Sequence, residues 1–128
     1  MSIPIKDVAF ILHPVSDLPR ARSFYENLLG LKIGFEIEFA PGSWWIEYDV
    51  GGVALAICNQ GAVPAGAGTT VALEVADIEK ALAEVKEGKI AITQELVDFP
   101  ACRMFGFSTP DGHPMMFHQR KVQRPSQA

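Results

Sequence analysis

The hydrophobic and polar positions follow two kinds of pattern along the chain. An apolar run of strand length, "DVAFILHPV", precedes "SDLPRARSFYENLLG", which Ser16 or Asp17 can cap and Gly30 can end. Three strand-like segments follow, "LKIGFEIEF", "SWWIEYDV" and "VALAIC", so this half predicts the order β-α-β-β-β. The predicted apolar face of the helix comprises Leu18, Ala21, Phe24, Tyr25, Leu28 and Leu29.

The second half of the chain repeats the first. "VSDLPRA" aligns with "VADIEKA" at an offset of 60 residues, and the same offset carries Gly52 to Gly112. Both glycines lie between apolar runs, as the turns of hairpins do. The segments "TTVALEV", "DIEKALAEVKEG", "AITQELV", "CRMFGFS" and "HPMMFHQ" again predict β-α-β-β-β. Two segments that agree on one offset indicate a duplicated unit.

Length and composition are those of one small globular domain. The chain has 128 residues, of which 48% are hydrophobic and 20% charged, which is enough for one compact core. We predict a single domain over residues 1–128. It consists of module one at about 6–58, a Gly/Ala/Pro-rich linker at 59–68, module two at about 69–119 and a polar tail at 120–128.

Charge and hydropathy exclude several classes of partner. The formal net charge is -4 and no Lys/Arg cluster interrupts it, so we expect no nucleic-acid partner. No stretch approaches the ~20 apolar residues of a membrane span, and the N-terminus lacks a signal-peptide pattern. We therefore expect a cytoplasmic protein with no membrane partner. Cys58 and Cys102 lack the spacing of a metal site, and we expect two thiols rather than a disulfide.

Two of these motifs carry a family resemblance. "DLPRARSFYENLLGL" and "TPDGHPMMFHQ" resemble the vicinal oxygen chelate superfamily, which includes glyoxalase I, bleomycin resistance proteins and extradiol dioxygenases. The resemblance extends from about Val8 to Gln119. It implies an α+β fold of two tandem β-α-β-β-β modules forming a cupped mixed sheet, with helices on the convex face and a pocket on the concave face. It also implies a homodimer.

Metal-dependent relatives carry His and Glu ligands at four positions, and the resemblance assigns those positions here. They are Phe10 and Thr70 on the first strand of each module, and Ala56 and Met116 on the last. None of the four is a usual ligand for a hard divalent ion. We therefore predict no metal and no other cofactor. Met116 is then an apolar wall of the pocket, with plain core packing as the alternative.

Strand alternation and hairpin pairing extend the predicted pocket in module one. A two-residue Gly-Gly turn places Glu47 opposite Ala56 and Trp45 opposite Cys58, and opposed residues share a face. Alternation places Leu12 on the same inner face. His13 falls on the helix side, where we expect a structural role.

The second hairpin, treated alike, completes the predicted site. It pairs Phe107 with Met116 and Phe105 with His118, unless a longer turn with a bulge shifts the register. Alternation adds Glu74 to the inner face, whereas Met115 and Phe117 should face the helices. The predicted ligand-binding residues are Phe10, Leu12, Trp45, Glu47, Ala56, Cys58, Thr70, Arg103, Phe105, Phe107, Met116 and His118.

Structural roles compete with functional ones at several of these positions. Arg103 and Glu47 could pair with each other or lie at a wet rim, and His118 could be a strand-end histidine at a dimer contact. Cys58 and Cys102 are more simply explained as buried inert thiols than as nucleophiles. No base adjoins either cysteine in the sequence, which leaves open a base that is close in space.

Two functions fit these residues. The first is binding of a small organic ligand, aromatic or cationic, in an apolar cup without a metal, since Trp45 and Glu47 offer stacking and charge. The alternative is a glyoxalase- or dioxygenase-like enzyme, a lyase, epimerase or ring-cleaving enzyme, with an atypical or metal-free site. There His118 or Glu47 would be the general base. A third interpretation, a scaffold whose cup is simply filled, also stays open.

Overall fold

The computed structural model describes residues 3–59 and 68–121. Both halves have the predicted order β-α-β-β-β, so the prediction of an α+β fold built from two such modules is confirmed. Residues 60–67 of the predicted linker and 122–128 of the predicted tail lie outside the described residues. The elements are β1 (Ile5–Pro14), α1 (Leu18–Arg22) with its π-helical continuation (Ser23–Leu28), β2 (Lys32–Ala40), β3 (Ser43–Val50), β4 (Val53–Cys58), β5 (Thr70–Val75), α2 (Ile78–Glu87), β6 (Ile92–Asp98), β7 (Cys102–Ser108) and β8 (Pro114–Arg120).

The chain forms two compact units, which are called module one and module two below. Module one is Phe10–Thr69, and module two is Met1–Ala9 together with Thr70–Ala128. Strand β1 is therefore divided between them, which the repeat pattern does not reveal. No helix in residues 3–59 and 68–121 is long and apolar enough to cross a membrane.

Module one is a mixed sheet with the strand order β2-β3-β4-β1. The β2/β3 and β3/β4 pairs are antiparallel and the β4/β1 pair is parallel. Its helix begins where predicted, because the Asp17 side chain accepts a hydrogen bond from the backbone N–H of Arg20. The buried core is formed by Ile46, Tyr48 and Ile57, against which Leu18, Ala21 and Tyr25 of the helical segment pack.

The predicted apolar face of the first helix is only half correct. Phe24, Leu28 and Leu29 are 47%, 75% and 49% exposed. From Ser23 the helix is π-helical, and the N–H of Leu29 donates to the carbonyl of Phe24 five residues earlier. The wider turn changes the angular spacing of side chains, so a pattern counted at 3.6 residues per turn no longer marks the buried face.

Module two has the strand order β5-β8-β7-β6, with β5/β8 parallel and β8/β7 and β7/β6 antiparallel. Asp77 is the N-cap of helix α2, and its side chain accepts a hydrogen bond from the backbone N–H of Lys80. Asp17 caps the helix of module one in the same way, with Arg20 as the donor. Its buried residues pack against three phenylalanines of the sheet. This core cluster contains Val75, Ile78, Ala81, Val85, Phe105, Phe107 and Phe117.

The two hairpin turns differ in length. In module one Val50 pairs with Val53, so the predicted two-residue Gly-Gly turn is confirmed. In module two Ser108 pairs with Pro114, which leaves a five-residue turn. The Gly112 N–H donates to the Thr109 carbonyl, so the turn is centred one residue earlier than Asp-Gly. Proline after the first turn residue and glycine at the fourth are typical of a type I turn.

Candidate functional site

The inner face of module one carries a carboxylate among aromatic side chains. The Trp45 Nε1–H donates to Glu47 Oε2 at 2.7 Å. Phe10 meets the indole edge-on, with ring centroids 4.9 Å apart and planes at 85°. Glu47 is only 7% exposed and Phe10 only 2%. A buried carboxyl group is costly without a hydrogen-bond partner, and the indole N–H supplies one for Oε2 and orients the side chain.

The predicted register of this face is correct. Glu47 pairs with Ala56 and Trp45 with Cys58 across β3 and β4, and Leu12 pairs with Ala56 across β1 and β4. Ala56 is fully buried and Cys58 is 8% exposed. The structure therefore brings together all six predicted residues of module one on one face of its sheet, with Phe10 placed by its contact with Trp45.

The other face of module one holds a polar network under the helical segment. The Tyr48 hydroxyl donates to Glu26 Oε2 at 2.8 Å, and Arg22 Nε donates to the same oxygen at 2.8 Å. Burial and the hydrogen bond to Glu26 raise the pKa of Tyr48. His13 Nδ1 lies 2.8 Å from the Tyr25 hydroxyl, so this histidine is on the helix side as predicted.

In module two the predicted face is wrong for three residues. Phe105 pairs with Phe117 and Phe107 with Met115, so both phenylalanines lie in the core beneath α2. Arg103 is on that side too, with Nη1 3.2 Å from Oε2 of Glu79 on α2. The five-residue turn shifts the pairing by one position, and a shift of one residue moves a side chain to the opposite face.

The inner face of module two is formed by other residues. Met116 pairs with Gly106 and His118 with Met104 across β8 and β7. Ala72 pairs with Met116 across β5 and β8. Alternation along β5 places Thr70 on this face, as predicted. Met115 and Phe117 belong to the helix-side core, again as predicted.

A buried carboxylate–imidazole pair lies at the end of this face. Glu74 pairs with His118 in the register, and His118 Nδ1 is 2.6 Å from Glu74 Oε1. The second oxygen, Oε2, accepts the backbone N–H of Arg120 at 2.7 Å. Glu74 is 3% exposed and His118 8%. Sequence alternation predicted both residues on this face, but their direct contact is visible only in the structure.

The pair is ionised on both sides. Burial opposes ionisation of Glu74, but the hydrogen bonds from His118 and from the Arg120 backbone hold the pKa of Glu74 below its ordinary value. Burial alone would lower the pKa of His118, but hydrogen bonds with Cys102 and Glu74 raise it to about 9. At neutral pH the imidazole is therefore a cation that donates its Nδ1–H to a carboxylate.

Cys102 is a functional candidate that its sequence context did not reveal. It pairs with Arg120, two residues beyond His118, so it lies diagonally next to His118 on the same face. The Cys102 side chain is among the groups that raise the pKa of His118. Cys102 is half-buried, whereas Cys58 is buried, and neither forms a disulfide. An imidazole is therefore close to Cys102 in space, although no histidine is adjacent to it in sequence.

A small polar cleft of about 270 Å³ lies next to Glu74. None of the twelve predicted ligand-binding residues lines it. Its lining residues are Lys6, Glu74, Val75, Ala76, Gln119, Arg120 and Lys121.

The four positions that correspond to metal ligands in the resembled family do not fit a metal ion. Phe10 and Ala56 are buried apolar side chains, and Met116 is 7% exposed. Thr70 supplies only a hydroxyl. Within residues 3–59 and 68–121, no group of three or more His, Cys, Asp or Glu side chains could hold a metal. The donor set is too poor in oxygen and imidazole for a hard divalent cation.

The family model for the glyoxalase/bleomycin resistance protein/dioxygenase superfamily matches residues 8–117. The chain belongs to this superfamily. That assignment agrees with the duplicated module, the Asp caps of both helices and the glycines of both hairpin turns. No curated protein sequence matches this superfamily member.

Several solved structures share the fold of this chain. A hypothetical protein, BH1468, from Bacillus halodurans C-125 aligns with a TM-score of 0.73 at 19% identity, over 91% of this chain and 95% of that one. Methylmalonyl-CoA epimerase from Mycobacterium tuberculosis aligns with a TM-score of 0.73 at 16% identity, over 100% and 96%. A superfamily member from Vibrio splendidus 12B01 gives 0.65 at 22%, over 92% and 99%. Such low identities show the fold alone.

Proposed function

We propose that the protein binds a small organic ligand, aromatic or cationic, without a metal, and that the Trp45–Glu47 face of module one contributes the recognition. The observation that carries this proposal is the carboxylate of Glu47, which is 7% exposed and is held by the indole N–H at 2.7 Å. A carboxylate between aromatic rings attracts an organic cation through charge and through the ring faces. The apolar neighbours Phe10, Leu12 and Ala56 suit a ligand with an apolar body.

A matched pair of probes tests the proposal. Benzyltrimethylammonium and benzoate share an aromatic ring and differ in charge. Isothermal titration calorimetry should show binding of the cation and none of the anion at the same concentration. Glu47→Gln should weaken binding of the cation by about tenfold, since the variant retains the size and hydrogen-bonding capacity of the side chain but loses its charge.

Neighbouring tryptophans provide the control. Trp45→Phe should weaken the cation's affinity, whereas Trp44→Phe should leave it unchanged, because Trp44 packs against the helix-side core. Equal affinity for both probes, or equal effects of the two substitutions, would contradict the proposed face. Binding by wild type with no loss in Glu47→Gln would also contradict it.

An enzymatic alternative is favoured by the Glu74–His118 pair of module two. Methylmalonyl-CoA epimerases share the fold, and an epimerase needs groups that remove and return protons. The cationic state of His118 at neutral pH argues against a general base at this position, because a base must be neutral to take a proton. In a metal-free enzyme of this design, His118 would donate a proton instead. The glyoxalase- or dioxygenase-like alternative is therefore retained with His118 as an acid.

We further propose a homodimer. The edge strand β2 exposes four large apolar side chains, each between 37% and 43% accessible: Ile33, Phe35, Ile37 and Phe39. An exposed apolar edge strand invites pairing with another chain. The corresponding edge strand of module two, β6, instead presents Thr93, Gln94 and Glu95 to solvent. We infer that the partner is a second copy of the chain and that the protein binds neither nucleic acid nor membrane. We also propose that it is cytoplasmic.

Sedimentation velocity at micromolar concentration tests the assembly. Wild type should sediment as a dimer, and Phe35→Glu should shift it to the monomer by placing a charge on the apolar strand. Gln94→Glu adds the same charge to β6 and should leave the dimer intact. A wild-type monomer, or a dimer that survives Phe35→Glu, would refute the β2 interface.

A further inference from the structure

The polar cleft of module two is lined by more cationic than anionic side chains. Lys6, Arg120 and Lys121 contribute positive charges, and Glu74 is the one carboxylate among the described residues that line it. All of these residues belong to module two, because its compact unit includes Met1–Ala9. The cleft therefore has an excess of positive charge, although the formal net charge of the chain is -4.

Glu74 already has partners for both of its oxygens. Oε1 lies 2.6 Å from His118 Nδ1, and Oε2 accepts the backbone N–H of Arg120 at 2.7 Å. The guanidinium Nη1 of Arg120 lies 3.6 Å from Oε1. Glu74 is only 3% exposed, so its charge is satisfied within module two. The remaining attraction of the cleft is for an anion.

Arg120 has hydrogen-bonding capacity that the described part of the chain does not use. Its Nε–H is buried and has no hydrogen-bond partner among residues 3–59 and 68–121. Its Nη2 lies 3.5 Å from Asp7 Oδ1, which is long for a hydrogen bond. Buried polar groups are rarely left without a partner. Because a guanidinium presents its N–H groups in a planar fork that matches two oxygens of an oxyanion, such an anion would satisfy this side chain.

The two lysines of the cleft are engaged to different degrees. The side chain of Lys6 makes no hydrogen bond or ion pair with the part of the chain that the structure describes. Lys121 forms an ion pair with Asp98, whose side chain is 67% exposed. Exposed ion pairs are weak, so an anion can compete with Asp98 for Lys121. Lys6 should therefore contribute more to anion binding than Lys121.

We propose that the polar cleft binds the phosphate group of a small molecule, with Arg120 and Lys6 as the main ligands and Lys121 as a weaker one. A phosphate dianion suits three cationic side chains better than a singly charged carboxylate does. The cleft volume of about 270 Å³ is below that of pockets for whole drug-sized ligands, so it suits a small anionic group. The proposal does not depend on the Trp45–Glu47 face of module one, which attracts the opposite charge.

Inorganic phosphate is the probe for this site. The ¹⁵N-labelled full chain is titrated at pH 8, where phosphate is mainly a dianion, and potassium chloride keeps the ionic strength constant. The backbone N–H signals of Ala76, Gln119, Arg120 and Lys121 should shift and saturate, with a dissociation constant on the order of 1 mM. Benzyltrimethylammonium should leave these signals in place. Shifts that do not saturate, or that chloride alone reproduces, would overturn the proposal.

A matched pair of lysine variants separates the cleft from the general charge of the protein. Lys6→Met keeps the length of the side chain and removes its charge, so it should weaken phosphate binding by about tenfold. Lys86→Met removes the same charge near the C-terminal end of α2, outside the cleft lining, and should not change the affinity. Both lysines are exposed, so neither change should affect folding. An unchanged affinity in Lys6→Met, or equal losses in the two variants, would contradict the site.

Arg120→Lys tests the guanidinium fork. It keeps the charge and the backbone N–H that Glu74 accepts, and it should weaken phosphate binding by about tenfold. Lys121→Met should weaken binding by less, because Asp98 competes for that lysine. Arg103 also has a buried Nε–H without a partner among the described residues, but it lies outside the lining, so Arg103→Gln should not change the affinity. A wild-type affinity in Arg120→Lys would remove the fork from the proposal.

Acetate distinguishes a phosphate site from a site for any oxyanion. The wild-type chain should bind phosphate at least about tenfold more tightly than acetate, since two charges meet three cationic side chains. Equal affinity for the two anions would overturn the assignment to a phosphate group.

Discussion

The two modules share their architecture but place different chemistry at equivalent points. Leu12 pairs with Ala56 in module one as Ala72 pairs with Met116 in module two, so the parallel register is the same after the 60-residue offset. Two residues further along the same strands, module one pairs Pro14 with Cys58, whereas module two pairs Glu74 with His118. The backbone pairing is thus the same in both modules, while the side chains at this position differ and form an ion pair in module two.

The two modules also differ on the face of the sheet that lies under the helix. Under its helical segment module one buries a polar network of Tyr48, Glu26 and Arg22. At the corresponding place module two packs phenylalanine rings against aliphatic side chains, and the ring centroids of Phe105 and Phe117 are 5.6 Å apart with planes at 75°. The helix side of the sheet is therefore polar around Tyr48 in module one and apolar around the phenylalanines in module two. Sheet pairing tolerates this exchange because backbone hydrogen bonds do not depend on side-chain polarity.

The largest effect should come from the phenylalanine cluster of module two. Phe105 is fully buried, so Phe105→Ala should lower the free energy of unfolding by about 3–5 kcal/mol, through lost burial and a cavity. Phe35→Ala on the exposed edge of module one should cost less than about 1 kcal/mol in the monomer. Urea denaturation measures both. Similar losses for the two variants would show that Phe105 is not in the core and that the register is the one read from sequence.

The next effect concerns the Glu74–His118 ion pair of module two, whose place in module one is taken by Pro14 and Cys58. Folding raises the pKa of His118 from 6.5 to about 9, so its stabilisation is complete below about pH 6.5 and is lost as pH rises through about 9. The pKa of Glu74 is lowered from 4.5, so its contribution is present above about pH 4.5 and is lost as pH falls through its folded-state pKa.

Stability should therefore be highest between about pH 4.5 and 6.5 as far as this pair is concerned. Between pH 6 and pH 9.5 wild type should lose on the order of 2–3 kcal/mol, and His118→Gln should lose much less over the same interval. Urea denaturation at each pH gives the two slopes. Parallel slopes for wild type and variant would show that the pair is not formed.

The polar network of module one should give a smaller effect. Tyr48→Phe removes a hydroxyl that donates to Glu26 at 2.8 Å and should cost about 1–2 kcal/mol, since Glu26 retains its bond from Arg22. Tyr25→Phe removes a hydroxyl 2.8 Å from the partly buried His13 and should cost less. Thermal and urea unfolding of both variants check this order. A loss below about 0.3 kcal/mol for Tyr48→Phe would contradict the network.

The smallest effect is expected at Arg103, whose position the structure reassigned. Its ion pair with the 74%-exposed side chain of Glu79 is a surface interaction, so Arg103→Gln should change stability by less than about 0.5 kcal/mol. It should also leave the titration of His118 unchanged, because Arg103 faces the helix. A large shift in that titration would return Arg103 to the inner face.

The modules themselves could be read from the sequence because their signals are local. Asp17 and Asp77 cap the two helices, and Gly52 and Gly112 both have φ near +90° in their turns. Each feature is encoded within a few residues, where backbone preference decides the conformation. On the inner face of module one, a two-residue turn whose length fixes the register predicted Trp45, Glu47 and Cys58. The family resemblance supplied Phe10 and Ala56, and strand alternation supplied Leu12.

The second hairpin could not be read in the same way. Pro110 after Thr109 favours a turn that starts at Thr109, and this competes with the Asp-Gly signal for the centre of the turn. Because the turn starts at Thr109, the register shifts by one residue and places Phe105, Phe107 and Arg103 on the helix side. The neighbour of Cys102 could not be identified for a different reason: His118 is on another strand, and no local pattern indicates which pairs of distant residues meet.

The imidazole titration of His118 tests the difference between the modules most directly. In ¹⁵N-histidine-labelled protein, the His118 signals are assigned by their absence in His118→Gln and followed from pH 5 to pH 10.5. Because burial is outweighed by the Cys102 and Glu74 hydrogen bonds, the pKa of His118 should be about 9. Titration near the ordinary value of about 6.5 would contradict the buried Glu74–His118 ion pair.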